Sequence, residues 1–353
     1  NNINAKSFNA SLLWEPWKIK NKSGSFYKVF TPFYKRGCLE SEKPRLPTEA
    51  PKKINFIKLG KNFIDYKPKY EQSKNKWYVK LERHWTPSEF NALARFEEFL
   101  ANDSDNYSEG RNFPSKKNVS RISAYLHWGQ ISPFKLWHDA KNNMKGSSLD
   151  SFLSELGWRE FSYHLLYYFP DINNKNLKLK FNNLQWDNDI SLLNKWKKGE
   201  TGYPIVDAGM RELWQTGYMH NRLRMITASF LIKNLLIHWK YGEQWFWDCL
   251  IDADLASNSA SWQWVAGTGS DAAPFFRIFN PMTQAEKFDK DAIYIRKYVP
   301  EIAKLPNKII FKPWLADKKT LKDSNVELGV NYPFPIIDYT LSRNRALDAF
   351  KKI

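Results

Sequence analysis

The sequence predicts a mostly α protein whose C-terminal two-thirds form an all-helical domain. Apolar residues recur at three-and-four spacing from residue 86 onward, and strand-like alternation is nearly absent there. The chain has 353 residues, which is long enough for one large domain with additional pieces. Its 16 tryptophans supply large flat surfaces for a core or a cleft. We therefore expect the helical domain to occupy residues 106–353.

The first 36 residues resemble a short piece of a different unit. Residues 11–16 have the apolar character of a buried strand that enters a turn, and residues 26–34 carry closely spaced aromatics, typical of a strand or the start of a helix. This segment is too small to bury its own apolar faces. Residues 37–105 are rich in lysine with scattered prolines, which predicts an interdomain linker.

Helix signals begin within this linker. Thr86 and Glu89 have the spacing of a capping box, and Pro87 suits the first helical position, so we predict a helix near 87–101. Further amphipathic runs predict helices over residues 120–128, 133–144, 148–168, 204–216, 218–240 and 243–251.

The charge of the chain favours a polyanionic partner. Lys and Arg number 54 against 37 Asp and Glu, a formal net charge of +17, which suits nucleic acid. A general abundance of lysine would raise the charge without any binding role, so both interpretations stay open. The most apolar run, residues 225–239, is interrupted by Lys233 and His238, so we expect no membrane span.

Cysteine usage predicts a reducing compartment. Only Cys38 and Cys249 occur, without the spacing of a zinc site, which supports neither a disulfide framework nor a structural metal. We therefore expect a cytoplasmic protein without a metal centre.

One helix face in the 218–239 region carries an unusual set of side chains. Asn221, Arg224, Met225 and Ala228 fall at i, i+3, i+4 and i+7, so they share one face. Ala228 leaves space for a flat ligand, and a buried Arg224 needs a carboxylate from residues 252–254. An ion pair that merely ties two helices is the structural alternative, but it explains the whole set less well.

Seven blocks in order resemble the DNA photolyase/cryptochrome family. They are residues 107–114, 120–123, 155–161, 201–207, 220–230, 252–264 and 271–281. The resemblance implies an α/β antenna domain, a long linker and a helical FAD-binding domain, so residues 1–36 are expected to be the remnant of a truncated antenna domain. The sequence is most similar to a class I-type cyclobutane pyrimidine dimer photolyase.

The resemblance implies FAD as the cofactor. The expected FAD-binding residues are Tyr107, Val119, Ser120, Arg121, Ile122, Ser123, Phe152, Glu155, Arg159, Asn221, Arg224, Asp252, Asp254 and Asn258. Residues 119–123 are expected to hold the phosphates, since Ser120 and Ser123 lie where a helix begins. A second antenna chromophore of folate or deazaflavin type is expected in the full-length protein, with its site largely missing from this chain.

Four residues are implied to surround the flavin ring. Arg224 and Asp252 resemble the ion pair beside the ring, and Asp254 resembles the contact to its polar edge or to the ribityl chain. Asn258 resembles the residue that faces flavin N5, where photolyases typically carry Asn, plant cryptochromes Asp and insect cryptochromes Cys. This asparagine favours DNA repair over signalling.

The lesion pocket implied by the resemblance contains Glu155, Trp158, Asn221, Met225 and Trp264. The two indoles would stack against a flipped-out dimer, with each stack worth roughly 1–3 kcal/mol. A carboxyl that donates a hydrogen bond to a pyrimidine carbonyl must be protonated, and burial would suit Glu155 by raising its pKa.

The implied reaction is light-driven electron transfer from excited reduced FAD to the dimer, with the electron returning afterwards. Trp262, Trp239 and Trp186 resemble the tryptophan relay that rereduces oxidised FAD. Damaged double- or single-stranded DNA is the expected partner of a monomer. The candidates for phosphate contact are Arg111, Arg159, Arg222 and Arg277.

Two other functions are considered. A cryptochrome-like blue-light receptor without repair activity is the main alternative. Repair of the (6-4) photoproduct ranks lower, because it would call for a histidine pair. His164 and His220 are the nearest candidates, and neither lies in a block of that pattern.

Overall fold

The computed structural model describes residues 4–55 and 76–353; helices dominate the second range, whereas the first is helical only at Phe30–Cys38. No β-strand occurs in these ranges apart from an isolated bridge between Leu328 and Tyr332. Nor does any helix there combine the length and apolar character that a membrane crossing requires. The lysine-rich part of the predicted linker, residues 56–75, lies outside the described residues.

The α-helices follow one another along the whole described chain. They are Phe30–Pro32 (α1), Glu89–Asn102 (α2), Tyr107–Gly110 (α3), Ser123–His127 (α4), Pro133–Asn143 (α5), Gly146–Tyr168 (α6), Ile190–Lys198 (α7), Pro204–Thr216 (α8), Asn221–Ser229 (α9), Trp239–Cys249 (α10), Leu255–Ala266 (α11), Pro281–Phe288 (α12), Ile293–Tyr298 (α13), Asn307–Ile310 (α14), Lys318–Asp323 (α15) and Tyr339–Lys351 (α16). Short 3₁₀ turns occupy Trp77–Arg83, Leu179–Asn183, Pro300–Ile302 and Pro313–Leu315, and π-helical turns occupy Phe33–Cys38 and Phe230–Asn234.

The long helix α6 lies between the two parts of the hydrophobic core. It packs against α3, α5 and α11, and it is buried on more than one side. One cluster of buried residues joins residues 4–38, which we call the N-terminal segment, to α2, α5 and α6. The other cluster joins α8, α9, the π-helical turn at 230–234 and the helices that follow. The functional cavity described below lies where α6, α9 and α11 meet.

The N-terminal segment folds onto α6 without forming a strand, so the strand predicted for residues 11–16 is wrong. Asn9 turns the chain, because its side-chain oxygen accepts hydrogen bonds from the N–H groups of Ser11 and Leu12. The backbone N–H of Trp14 then donates to Glu160 on α6 over 3.1 Å. The aromatics of residues 26–34 belong to the approach to α1, to α1 itself and to the π-helical turn that follows it.

The helix predicted near 87–101 runs over Glu89–Asn102, but its cap differs from the prediction. Ser88 is the N-cap, because its hydroxyl accepts a hydrogen bond from the N–H of Asn91 over 3.0 Å. The capping box assigned to Thr86 is therefore wrong, since the chain enters the helix two residues later.

The single helix predicted over residues 218–240 is also wrong, because the chain breaks twice. His220 caps α9, which begins at Asn221, and a π-helical turn follows at Phe230–Asn234. Leu236 then adopts a left-handed conformation with φ 50°, and α10 begins at Trp239. A left-handed residue ends a helix, and its position is not visible in an apolar pattern.

The contact between α6 and the N-terminal segment depends on Gly157. A Cβ atom at this position would lie 2.5 Å from Cδ2 of the buried Tyr34 ring. For Gly157→Ala we expect the free energy of unfolding to fall by about 1–3 kcal/mol through overpacking, although alanine favours a helix interior by about 0.5–1 kcal/mol. Urea unfolding measures this, with Ser154→Ala on the same helix as the control. A Gly157→Ala protein as stable as the control would contradict the contact.

Candidate functional site

A cavity of about 580 Å³ opens between α6, α9, α11 and the loop at residues 119–123. Its volume lies within the range of small-molecule and cofactor sites, roughly 300–1,000 Å³. The four side chains predicted to share one face of α9, Asn221, Arg224, Met225 and Ala228, all line it. The helical spacing read from the sequence therefore placed this face correctly.

A partly buried ion pair closes one wall of the cavity. One guanidinium nitrogen of Arg224 lies 3.0 and 2.8 Å from the two carboxylate oxygens of Asp252. The same carboxylate accepts a hydrogen bond of 2.5 Å from the hydroxyl of Ser123, and Arg224 also donates to the carbonyl of Met219. Burial disfavours the charged form of Arg224, but the Asp252 charge and its hydrogen bonds outweigh burial and raise the pKa of Arg224, so the cation is kept.

The loop at residues 119–123 presents backbone donors to the cavity. Arg121 adopts a left-handed conformation with φ 53°, and Ile122 follows in the right-handed region. This alternation forms a nest, in which successive backbone N–H groups can turn toward one anion. Among the described residues, the N–H groups of residues 120–122 meet no hydrogen-bond acceptor. The hydroxyl of Ser123 is engaged by Asp252, so the backbone, rather than this side chain, supplies the anion donors.

Asp254 is the N-cap of α11, and three other residues contact its carboxylate. It caps the helix by accepting from the N–H of Ser257 over 2.8 Å, and the Tyr163 hydroxyl donates to its other oxygen over 2.5 Å. His127 places Nδ1 3.6 Å from that same oxygen. Burial and the Asp254 carboxylate raise the pKa of Tyr163, which keeps its proton on the phenol oxygen. The carboxylate is therefore fixed in place before any ligand arrives.

Asn258 is buried one turn further along α11 and also lines the cavity. Its amide nitrogen donates to the backbone carbonyl of Glu243 on α10 over 3.0 Å. The Glu243 carboxylate accepts a hydrogen bond from Ser259, which ties the two helices together at this point. The side-chain amide of Asn258 therefore has a preset orientation.

Glu155 and Arg111 form an ion pair on the opposite side of the cavity, with 2.7 Å between the charged groups. Burial raises the pKa of Glu155, and the neighbouring Arg111 opposes that rise only in part. A carboxyl whose pKa is raised holds its proton to higher pH than usual. The donor role expected of Glu155 requires this protonated form.

The ring of Trp158 packs against the N-terminal segment. It stacks on Phe30 with 3.8 Å between centroids and 10° between planes, and Phe30 stacks in turn on Tyr34. The backbone N–H of Phe30 donates to Asp271, which lies at the edge of the cavity. One indole face of Trp158 is thus occupied, and the ring is supported from behind. Trp264 lines the cavity as well and is partly exposed.

The three tryptophans predicted for the relay differ in position: Trp262 lines the cavity, Trp239 is fully buried and Trp186 is partly exposed. Trp262 lines the cavity and packs so closely against α10 that a Cβ atom at Gly242 would lie 2.1 Å from its ring. Trp239 begins α10 one turn earlier and is fully buried, with its N–H donating to Asn176. His238 lies between Trp239 and the partly exposed Trp186, at 5.4 and 5.1 Å between ring centroids.

The four arginines expected to contact DNA differ in exposure. Arg111 and Arg222 line the cavity and are partly buried, and the Arg222 guanidinium donates to Asn112. Arg159 also lines the cavity, but its side chain is only 14% exposed, because it donates to the Ser11 carbonyl over 2.6 Å. Only Arg277 of the four is exposed, on the segment that precedes α12.

Both histidines considered for the (6-4) reaction lie outside the cavity lining. His164 is fully buried, and its Nε2 accepts a hydrogen bond from the N–H of Tyr27. His220 caps α9, and burial beside several arginines lowers its pKa to about 3. Neither is placed to act as an acid in the cavity.

The cavity brings together most of the residues predicted for binding and chemistry. Those that line it are Tyr107, Arg111, Val119, Ser120, Arg121, Ile122, Ser123, Phe152, Glu155, Trp158, Arg159, Asn221, Arg222, Arg224, Met225, Asp252, Asp254, Asn258, Trp262 and Trp264. Trp239, Trp186 and Arg277 are not among the lining residues. Sequence reasoning missed Phe30, Asp271 and Glu243, whose roles depend on contacts distant in sequence. Asp271 and Phe30 lie in two segments that the sequence had indicated, the block at residues 271–281 and the aromatic run at residues 26–34.

The side chains and backbone of the cavity fit FAD. The nest at residues 119–123 suits a diphosphate, and the held carboxylates of Asp252 and Asp254 suit the polar parts of a ribityl chain or flavin. The Arg224 cation provides positive charge for a flavin that carries negative charge. The described residues include no cluster of three or more His, Cys, Asp or Glu side chains placed to hold a metal ion.

Fold and cavity together define a helical protein that binds a nucleotide cofactor. The family model of the FAD binding domain of DNA photolyase matches residues 152–352, and the model of DNA photolyase matches residues 1–52. The chain belongs to the DNA photolyase and cryptochrome family.

Similar proteins include both branches of this family. The chain is 46% identical to the deoxyribodipyrimidine photo-lyase of Agrobacterium fabrum, covering 99% of this chain and 74% of the relative. It is 34% identical to cryptochrome-1 of Arabidopsis thaliana, over 99% of this chain and 53% of that protein. A solved bacterial class III photolyase from Agrobacterium tumefaciens superimposes with a TM-score of 0.90 at 46% identity, covering 98% of this chain and 72% of that one.

The Arg224–Asp252 ion pair gives a test of the cofactor site. In Asp252→Asn the guanidinium loses its charged partner and Ser123 loses a carboxylate acceptor, so we expect FAD retention to weaken about tenfold or more. The ratio of flavin to protein absorbance after dialysis measures this. Asp187→Asn, which breaks a surface pair with Arg345, is the control. Equal flavin content in both variants, with both folded by circular dichroism, would contradict the assignment.

Proposed function

We propose that this protein repairs cyclobutane pyrimidine dimers in DNA by light-driven electron transfer. One observation carries the proposal: the residues expected to hold FAD and those expected to hold the lesion line one continuous cavity. FAD, when bound in its reduced form and excited by blue light, supplies the electron that opens the cyclobutane ring. A dimer stacks and pairs poorly, so flipping it out of the duplex into the cavity costs only a few kcal/mol, and photolyases are an established example of such base flipping.

The protein's own side chains bind and orient the flipped-out lesion. Trp264 and the free face of Trp158 provide flat surfaces for the two bases, and Phe30 keeps the Trp158 ring from tilting away. Met225 supplies a polarisable side chain at the same surface. When the carboxyl of Glu155 is protonated, it donates to a pyrimidine carbonyl, where negative charge increases once the dimer accepts an electron. Asn221 is exposed at the start of α9 and offers a second polar contact.

The DNA backbone binds around the cavity mouth. We assign this contact to Arg111, Arg159, Arg222 and Arg277, with Arg277 the most accessible. The net charge of +17 supports attraction that does not depend on base sequence. One chain supplies every residue of the site, which supports a monomer. The two cysteines, both free and buried, support a reducing compartment such as the cytoplasm.

We also propose repair rather than signalling, a photolyase class and a set of domain boundaries. Asn258 beside the flavin and the higher identity to a photo-lyase than to a cryptochrome both support repair rather than signalling. The class I-type prediction has less support, because the solved relative at 46% identity is described as a class III photolyase. We also propose the division into residues 1–36, 37–105 and 106–353; the two family models, at residues 1–52 and 152–352, support separate N- and C-terminal units.

Repair of a defined lesion tests the function. The flavin-loaded protein is mixed with DNA that carries a thymine dimer, and blue light with a reductant is expected to restore thymine absorbance. In Trp264→Ala the affinity for this DNA is expected to fall by about 1–3 kcal/mol, because a stacking surface is lost. Trp247→Ala is the control, since Trp247 is 46% exposed and does not line the cavity. Flavin binding without light-dependent repair would favour the receptor alternative.

The pKa of Glu155 gives a second test. A raised pKa means that the carboxyl loses its proton, and hence its donor ability, only as pH rises above the ordinary carboxyl range. The preference for dimer-containing over undamaged DNA is therefore expected to be full at acidic pH and to decrease as the pH rises through the raised pKa of Glu155. Glu155→Gln keeps a donor that does not titrate, so its preference is expected to be flat over the same range. An identical pH profile in both proteins would exclude this role for Glu155.

A further inference from the structure

A buried lysine lies beneath the segment that carries Arg277. Lys233 is 2% exposed and belongs to the π-helical turn Phe230–Asn234. Its ammonium group donates to the backbone carbonyl of Arg277 over 2.9 Å and lies 5.6 Å from the centre of the Phe275 ring. Within the described ranges, Lys233 forms no ion pair with a carboxylate. Burial, together with the nearby Arg277 charge, lowers the pKa of Lys233 to about 7.

Packing alone does not account for a lysine at this position. A buried ammonium group with one carbonyl partner is costly, and methionine would fill a similar volume without that cost. Lysine is almost never fully buried unless it is paired. What Lys233 has that an apolar side chain lacks is the hydrogen bond to the Arg277 carbonyl. When the amine is protonated, this bond is charge-assisted, a class about twice as strong as a neutral hydrogen bond.

A second anchor lies one helical turn before Lys233. The hydroxyl of Ser229, the last residue of α9, accepts a hydrogen bond from the N–H of Phe279 over 3.3 Å. Ser229 and Lys233 are four residues apart, so they face the same way and hold two points of one segment. We name residues 268–280 the rim segment. It has no α-helix or strand of its own, and its first residues line the cavity.

The other end of the rim segment is attached to the N-terminal segment. Asp271 accepts from the N–H of Phe30 over 2.8 Å, and the Ser270 hydroxyl donates to the Lys28 carbonyl. The Arg277 end has its anchors on the C-terminal side of α9, through Lys233 and Ser229. Arg277 itself is exposed, so its guanidinium depends on the fixed backbone for its direction.

We propose that Lys233 is a positioning residue for DNA binding, because its buried ammonium group holds the backbone of Arg277 and so aims the exposed guanidinium at the DNA. This inference rests on the proposed function, in which Arg277 contacts a phosphate. Lys233 touches neither the DNA nor the cofactor, so it acts through the rim segment alone. The π-helical turn brings Lys233 under that segment, and π turns are frequent at functional sites.

A double-mutant cycle on the flavin-loaded full chain tests the proposal. Lys233→Met, Arg277→Ala and the double variant are compared with the unchanged protein for binding to a fluorescent duplex that carries a thymine dimer. Each single change is expected to weaken binding about five- to tenfold, and the double variant is expected to lie within about twofold of Arg277→Ala, because coupled neighbours are not additive. Arg277→Ala and Lys233→Met are both expected to reduce the salt slope by up to about one phosphate contact.

Controls separate positioning from charge and from folding. Lys351→Met removes the same charge from an exposed site where Lys351 pairs with Asp348, and it is expected to leave the affinity nearly unchanged. Flavin content and the thermal midpoint report folding. Should Lys233→Met fail to fold, Ser229→Ala removes the second anchor with a smaller change, and its weakening is likewise expected to vanish in the Arg277→Ala background.

The outcomes distinguish this inference from the proposed function. If the unchanged protein shows no salt-dependent DNA binding, the proposed function fails. If Arg277→Ala weakens binding while Lys233→Met, or Ser229→Ala in its place, behaves like Lys351→Met, only the role of Lys233 fails. The positioning role is also overturned if the losses of DNA affinity multiply in the double variant, or if the Arg277→Ala protein binds DNA normally. Neither result contradicts DNA binding by the unchanged protein.

Discussion

The Arg224–Asp252 ion pair is the interaction on which the cavity depends. It joins α9 to the segment before α11, and through the Ser123 hydroxyl it reaches the nest at residues 119–123, which also lines the cavity. A buried charge must be paired, so each partner requires the other to be in place. Three segments far apart in sequence are thereby fixed around one space. The ring of fixed polar groups continues with Asp254 and Asn258 on α11, each held by partners from another helix.

Helical spacing was enough to predict the face of α9 that lines the cavity. Asn221, Arg224, Met225 and Ala228 share that face because their separation is set by the helical repeat, and the helix is regular where they lie. The need of a buried arginine for a carboxylate also pointed correctly to residues 252–254. These inferences depend on local geometry and on charge, which are both written in the sequence. The family resemblance supplied the remaining positions, and all but Trp239, Trp186 and Arg277 line the cavity.

The features that sequence reasoning missed depend on local backbone exceptions or on distant contacts. The break after α9 comes from a left-handed Leu236, a conformation that leucine adopts only when the surrounding structure imposes it. Ser88 replaced Thr86 as the cap because either hydroxyl could serve, and only the entry direction of the chain decides between them. The stacking of Phe30 on Trp158 joins residues separated by most of the N-terminal half. No periodicity connects such a pair.

The stacked column of Trp158, Phe30 and Tyr34 has a consequence for hybrid proteins. The same few residues that dock the N-terminal segment also brace the surface expected to receive the bases, and Asp271 links them to the cavity edge. If the N-terminal segment were replaced by that of a relative, the packing behind Trp158 would therefore change as well as the outer surface. A functional hybrid must keep aromatic residues at the positions of Phe30 and Tyr34, because the contact between the two parts of the chain lies directly behind the cavity wall.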